Sequence, residues 1–468
     1  MLTSQVRLKA RPCPYQKRFL TQRFALTFWN IDISFVKIMF TEYLLAGTLG
    51  AKLLWHLRTA QWKALHELKD MQLKSLKAIV NYAYEHVPFY HHLFKKAKFK
   101  PEDLRSLEDL RKIPITKKMD IQGNSEEFLA NGVDKSRCID FFTSGSTGIP
   151  LKTYKDIRAA VTDTALKAYA FLECGVRFTD KFVNIAWTQR SMILPSQIFI
   201  PQLSQEISYI TGYLRRIKPD VIYGVPPFLE ELCFCDPPEI NPRLIFSQAA
   251  TLTQHCRSLV RSTFGVEIND TYGSTELGRL AFECNEHSGL HMITDAAVME
   301  FLDDNGEPVA PGEIGEIVAT GLYNCAMPMI RYDLGDIGVP SDERCNCGRS
   351  WPLIDHIEGR ANDTFIIPSG KKLYPRFIWS CFLEEVKENP FCISQYQIIQ
   401  KKRNEIILRL VKGRDFDEEV VSKIEQNFEN SFFQMGEDVS VDIEFVPKIQ
   451  TGETRKRKLL ISLISQDH

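Results

Sequence analysis

Across residues 53–97, the apolar positions Leu54, Leu57, Trp62, Leu65, Leu68, Leu73, Leu76, Ile79 and Val80 recur mostly every three or four residues, with charges between them. That spacing predicts helix. His86-Val87-Pro88-Phe89-Tyr90 interrupts the rhythm, and residues 104–115 read as a short helix ending at Pro114. Residues 139–142 then predict a strand, residues 143–148 a turn of small residues, and residues 157–174 a helix, an order suited to holding phosphate. Apolar runs at 221–223, 243–246, 266–268 and 316–318, separated by helical stretches, predict a layered α/β domain. After Gly359 the pattern becomes strand at 395–400, strand at 405–411, helix at 418–432 and strand at 439–446, a compact α+β unit. The expected division is a basic and apolar extension over 1–50, a large domain over 51–361 and a small domain over 362–468.

The length of 468 residues agrees with more than one domain. A hydrophobic share of 44% with 25% charged residues is the balance of a folded soluble chain. A net charge of -1 offers no electrostatic basis for binding nucleic acid. The longest stretch free of Asp, Glu, Lys and Arg, residues 191–205, is broken by Pro195 and Pro201 and is too short to span a bilayer. Residues 1–31 carry six basic side chains and no acid, yet lack the apolar core of a signal peptide. Residues 24–40 suit either an interfacial anchor or an unstructured extension. The 12 cysteines are therefore expected reduced, in a cytoplasmic protein.

Four clusters offer nucleotide chemistry. Thr143-Ser144-Gly145-Ser146-Thr147-Gly148 presents hydroxyls and unobstructed backbone N–H groups to phosphate oxygens, although it lacks the Gly-Lys-Ser/Thr ending of a P-loop. Tyr272-Gly273-Ser274-Thr275-Glu276 supplies a ring for a base and a hard oxygen for Mg²⁺. Arg331-Tyr332-Asp333-Leu334-Gly335-Asp336 and Glu358-Gly359-Arg360-Ala361-Asn362-Asp363 each place an acid after a glycine turn, and a carboxylate can accept from both ribose hydroxyls. Taken singly, each is equally a surface turn or a salt bridge. A fifth set, Cys284, His291, Cys345 and Cys347, has the donors of a closed structural Zn²⁺ shell, with His287 as a competing ligand.

In this order the clusters resemble the adenylate-forming superfamily of acyl-CoA synthetases, luciferases and peptide-synthetase adenylation domains. The runs SGSTGIPL, KPDVIYGVPP, TYGSTELG, RYDLGD, CNCGRS and IEGRAND are most similar to its phenylacetate-CoA ligase and capsular-polysaccharide branch. The resemblance extends over about residues 53–463 and takes in Ala83 to Tyr90 and the run Ile113-Pro114-Ile115-Thr116-Lys117. It implies a large multi-sheet domain with a mobile α+β lid, and an ATP-dependent reaction. A carboxylic acid becomes an acyl adenylate and then passes to coenzyme A. Alternatives are another acceptor, in cell-surface or cofactor biosynthesis, or a non-catalytic nucleotide- or zinc-binding relative.

The resemblance further implies that Ser144, Gly145, Ser146, Thr147 and Gly148 hold the β- and γ-phosphates. Tyr272, with Gly273 and Ser274, flanks adenine, Thr275 touches the α-phosphate, Glu276 ligates Mg²⁺, and Asp336 and Arg360 hold ribose. Members with this Cys/His pattern bind zinc there. The catalytic lysine of the small domain falls on Lys456, with Lys458 second, because Glu453 stands where the family's Gly-Lys step is expected. Asn362 replaces the first of the usual paired hinge acids. The short interval between Gly148 and Pro219, and Ser247-Gln248-Ala249-Ala250 in place of a glycine-acid pair, leave the acid itself unread.

Overall fold

The computed structural model describes residues 33–142, 151–186, 197–201, 207–235, 239–449 and 458–464. Those from Leu49 onward belong to one compact unit. The helical start forms α1 (Ile33–Ala60), α2 (Leu65–His86) and α3 (Pro88–Lys96). Apolar spacing continues across the first junction, but tertiary bonds end the helix there. The carbonyl of Gln61 accepts from Ser350 N at 2.8 Å, and its amide donates to Glu173 at 3.0 Å. Ala64 N donates to Glu67, which starts α2 afresh.

The helix expected at 104–115 is instead a single 3-10 turn, Glu108–Lys112. The Asp109 carboxylate accepts from Arg105 N and Ser106 N at 2.8 Å each, holding those residues outside a helix, and Ile113 before Pro114 is extended. A short α4 (Lys118–Gly123) follows.

Strands β1 (Ile139–Phe142) and β2 (Lys152–Lys155) pair antiparallel, Phe142 opposite Lys152, and flank residues 143–150. This corrects the expected strand, loop and helix: a second strand intervenes before α5 (Ile157–Glu173), whose N-cap Asp156 accepts from Ala159 N at 2.7 Å. Thr153 and Lys155 are buried on alternate positions of β2, so its pattern reads polar while its location is interior.

A five-stranded parallel sheet follows, from β3 (Phe182–Ala186), β4 (Gln197–Pro201), β5 (Val221–Gly224), β6 (Leu244–Ser247) and β7 (Ile268–Asn269), in the order β4-β3-β5-β6-β7. Helices α6 (Ile207–Ile217), α7 (Pro226–Phe234) and α8 (Gln254–Phe264) supply the crossovers. Its central strand β5 is buried along its whole length, as cover on both faces requires.

A seven-stranded antiparallel sheet contains β8 (Thr271–Ser274), β9 (Gly278–Glu283), β10 (Leu290–Met292), β11 (Ala297–Leu302), β12 (Gly315–Gly321), β13 (Tyr332–Ser341) and β14 (Leu353–Arg360), in the order β11-β12-β13-β14-β10-β9-β8. After β15 (Phe365–Ile366), β16 (Lys372–Leu373) and α9 (Pro375–Val386) comes a four-stranded sheet. It is formed by β17 (Ile393–Lys402), β18 (Glu405–Lys412), β19 (Ser440–Phe445) and β20 (Leu460–Ser462), with α10 (Glu418–Gln434) against it. The last sheet has its own core around Phe382, Tyr396, Leu408 and Phe428.

Candidate active site and Cys-His cluster

The β8–β9 hairpin presents Ser274 to Leu277 at its tip. Gly273 is required there, because a Cβ would stand 2.2 Å from the carbonyl oxygen of Gly278. Ser274 Oγ accepts from Leu277 N at 3.1 Å and tightens the turn. Thr275 and Glu276 are half-buried at its rim. Glu276 Oε1 accepts from the buried Tyr332 hydroxyl at 3.0 Å, and Oε2 has no bond from the described residues. Burial, then the Glu276 charge, pushes the Tyr332 hydroxyl well above its usual range, so it donates.

Tyr272, Asp336 and Arg360 meet. Tyr272 donates its hydroxyl to Asp336 Oδ2 at 2.9 Å, and Arg360 Nε lies 2.9 Å from Asp336 Oδ1. Asp336 and Arg360 are direct partners across β13 and β14. Burial raises the Asp336 carboxyl, with Arg360 and Tyr272 acting in the opposite direction. Arg360 also donates to the carbonyl of Leu334 at 3.0 Å. The acid is thus held from two sides, one by a phenol and one by a guanidinium.

Two residues of these runs serve the scaffold. Arg331 forks onto Glu300 at 3.0 Å and donates to the carbonyl of Ile113 at 2.6 Å. Glu358 accepts from Arg376 N at 2.6 Å at the start of α9 and from His356 at 3.0 Å. Ala361–Asp363 forms one 3-10 turn after β14. Burial pushes the Asp363 carboxyl up to about 6, against the pull of Lys458 and Arg360. Lys458 is exposed, and its carbonyl accepts from Gln397 at 2.9 Å. Ser144, Gly145, Ser146, Thr147, Gly148 and Lys456 lie outside the described residues.

A charged trio under the hairpin, with Lys155 and Asp163 buried and Lys167 half-buried, escaped the sequence. Lys155 Nζ and Lys167 Nζ lie 3.2 and 2.9 Å from Asp163 Oδ2. The other Asp163 oxygen faces Gly278, where a Cβ would stand 2.2 Å from it. Despite burial, the two lysines hold the Asp163 carboxyl well below its usual range. The i,i+4 spacing of Asp163 and Lys167 was the available signal.

At the other end of β9, Cys284, His291, Cys345 and Cys347 bring one donor atom each within 4.8 Å of one another. Cys284 and Cys345 sulfurs are 3.5 Å apart, and Cys347 Sγ is 3.3 Å from His291 Nε2. Burial, then Arg349, pushes the His291 imidazole down to about 4, leaving it neutral, the form that binds a metal. Burial disfavours the Cys347 thiolate, but hydrogen bonds from Arg349 outweigh it and lower that thiol. His287 lies outside this group, its Nδ1 3.4 Å from Glu283.

The sequence model described as "AMP-binding enzyme" matches residues 37–327, and that of the "CapK C-terminal domain" matches residues 374–462. A phenylacetate-coenzyme A ligase of Thermus thermophilus is 27% identical over 355 residues, 72% of this chain and 79% of the relative. Protein CapK of Staphylococcus aureus is 22% identical and spans 85% of this chain and 90% of its own. In fold, 2-hydroxyisobutyryl-CoA ligase in its postadenylation state with 2-HIB-AMP superposes with a TM-score of 0.73 at 20% identity, covering 87% of this chain and 91% of that one. The chain belongs to the AMP-binding enzyme family.

Proposed function

We propose that this protein is an ATP-dependent, AMP-forming acid–thiol ligase. It activates a carboxylic acid as its acyl adenylate and transfers the acyl group to coenzyme A. A carboxylate oxygen attacks the α-phosphorus, the bond to pyrophosphate breaks, and pyrophosphate leaves. The thiol then attacks the acyl carbonyl, AMP leaves, and the thiol proton is released. The observation that carries this reading is the Tyr272–Asp336–Arg360 constellation beside Glu276 and its Tyr332 donor. Matches to four phenylacetate-coenzyme A ligases at 27–29% identity support the acid and thiol substrates.

In this reading the chain positions and neutralises. Asp336 and Arg360 take the ribose hydroxyls, Tyr272 borders the base, and Thr275 with residues 143–148 receives phosphate oxygens. Glu276, whose Oε2 takes no bond from the described residues, would hold Mg²⁺, which supplies charge neutralisation at the phosphates. Lys456 supplies the cation between the two reacting anions, with Lys458 as the alternative. The small domain over 362–468 turns about Asn362-Asp363, exchanging one half-site for the other. The four donors at Cys284, His291, Cys345 and Cys347 suit a structural Zn²⁺. The free thiols among the described cysteines fit a cytoplasmic location, and no described helix is long and apolar enough to cross a membrane.

The test is acid-dependent ATP–pyrophosphate exchange across a carboxylic-acid panel, followed by thioester formation with and without coenzyme A. Exchange with at least one acid is expected, and none with any acid overturns the reading. The match to Protein CapK over most of both chains favours, as a second reading, the same adenylation with a different acceptor. Exchange without thioester formation would select it. Metal analysis of protein purified without chelator should return roughly one equivalent of zinc.

A further inference from the structure

Asp163, on α5, is a buried carboxylate that receives both its cations on one oxygen. Lys155 Nζ and Lys167 Nζ lie 3.2 and 2.9 Å from Oδ2. The other oxygen, Oδ1, is buried and takes no hydrogen bond among the described residues. The Lys155 side chain is 1% exposed and that of Asp163 5%, so only Lys167, at 22%, keeps contact with water. Arg257 and Arg331, by contrast, reach both oxygens of Glu283 and Glu300. Charges taken out of water cost stability, and apolar side chains of similar volume often give an equally firm or firmer fold. Stability alone therefore does not account for this trio, least of all for its bare carboxylate oxygen.

That oxygen meets the β8–β9 turn. Gly278, where the turn enters β9, has a φ of +75°, and a Cβ there would stand 2.2 Å from Asp163 Oδ1 and 2.5 Å from the Tyr323 hydroxyl. The same hydroxyl donates to the carbonyl of Leu277 at 2.7 Å. Two successive residues of the turn are thus met by side chains of two other elements, α5 and the segment after β12, immediately beyond Thr275 and Glu276. Packing beneath the turn is incomplete: a cavity of about 10 Å³, room for one water, borders Glu276, Leu277, Tyr323 and Asn324. Lys155 carries the clamp to β2, and its ammonium lies 4.9 Å from the ring centre of Phe141 on β1. Burial pushes that ammonium down, opposed by Asp163 first and also by Glu276. We propose that Asp163, clamped by Lys155 and Lys167 and acting with Tyr323, is a positioning residue that holds Thr275 and Glu276 in place for the adenylation step. The charges supply direction instead of stability: a carboxylate pinned at Oδ2 is kept from turning Oδ1 away from Gly278. This rests on the adenylating reading above.

The experiment removes both buried charges together in the full chain, Lys155→Met with Asp163→Leu, since leucine keeps the branched outline of aspartate. The melting temperature should rise or stay within about 3 °C of wild type. Acid-dependent ATP–pyrophosphate exchange should lose about tenfold or more in kcat, with KM for the acid moving less than about threefold. In the free protein, without nucleotide, amide hydrogen exchange over residues 274–278 should quicken by about fivefold or more while β5 is unchanged. Made in a Glu276→Gln background, the same pair should cost at most about threefold, because the group it places has already lost its charge. Should the double variant not fold, Tyr323→Phe, which removes only the hydroxyl on Leu277, must give the same quickened turn and the same non-additivity. A double variant that loses stability and keeps its turnover, a turn that exchanges no faster, or losses that multiply in full with Glu276→Gln overturn the proposal while adenylation stands. Wild-type exchange with no acid overturns adenylation itself, and this with it.

Discussion

At the Glu276 end of β9 the polar groups are joined in pairs, Tyr332 to Glu276 and Tyr272 with Arg360 to Asp336, and Glu276 is half-buried. At the Cys284 end four donors converge, three of them buried. Six residues of strand separate the two, about 20 Å of extended chain. The same sheet thus carries a cluster of paired polar groups at one end of β9 and four converging donors at the other. Substitutions at the first should cost turnover with little loss of fold, and substitutions at the second the reverse.

The sharpest break in that contrast would come from Glu276→Gln, which keeps the shape and removes the charge. Exchange should fall by about 10²- to 10³-fold, with the melting temperature almost unchanged. A comparable loss of thermal stability would mean that Glu276 is structural. Cys345→Ser probes the opposite end: zinc should be lost and the fold weakened by roughly 3 kcal/mol, while kcat/KM of the folded fraction stays within about threefold. Calorimetry with metal analysis checks both halves. Tyr332→Phe removes one donor to Glu276 and should cost about 1 kcal/mol, roughly fivefold in kcat/KM, read by steady-state exchange.

A further effect is a pH slope beyond the end of β14. The Asp363 carboxyl is raised from 3.8 to about 6 by burial, so its folded form prefers the proton. Its contribution to stability is complete below pH 3.8 and is lost as pH rises through about 6. Asp363→Asn should remove that loss, flattening the unfolding free energy between those limits in urea titrations. An unchanged slope would place the titration elsewhere.

Much of this could be read from residue order, because it depends on local spacing. The helix α5, the strands β5 and β6 and the pair β17 and β18 follow from periodicity, and the cysteine spacing pointed to donors that do converge. Partners distant in sequence could not be read. Nothing near Gln61 announces Ser350, and nothing near Lys155 announces that a polar-looking strand lies in the interior.

Gln61 has one more lesson. Its amide reaches Glu173 at the end of α5, its carbonyl takes Ser350, and its side-chain oxygen takes Arg349 at 2.6 Å, two residues past Cys347. A chain shortened to begin at Leu65 would keep every cluster named for chemistry and still lose the rivet beneath the loop of Cys345 and Cys347. The perimeter drawn by reactivity therefore falls inside the one drawn by folding, and trimming to the first would yield a protein with all its tools and a loosened bench.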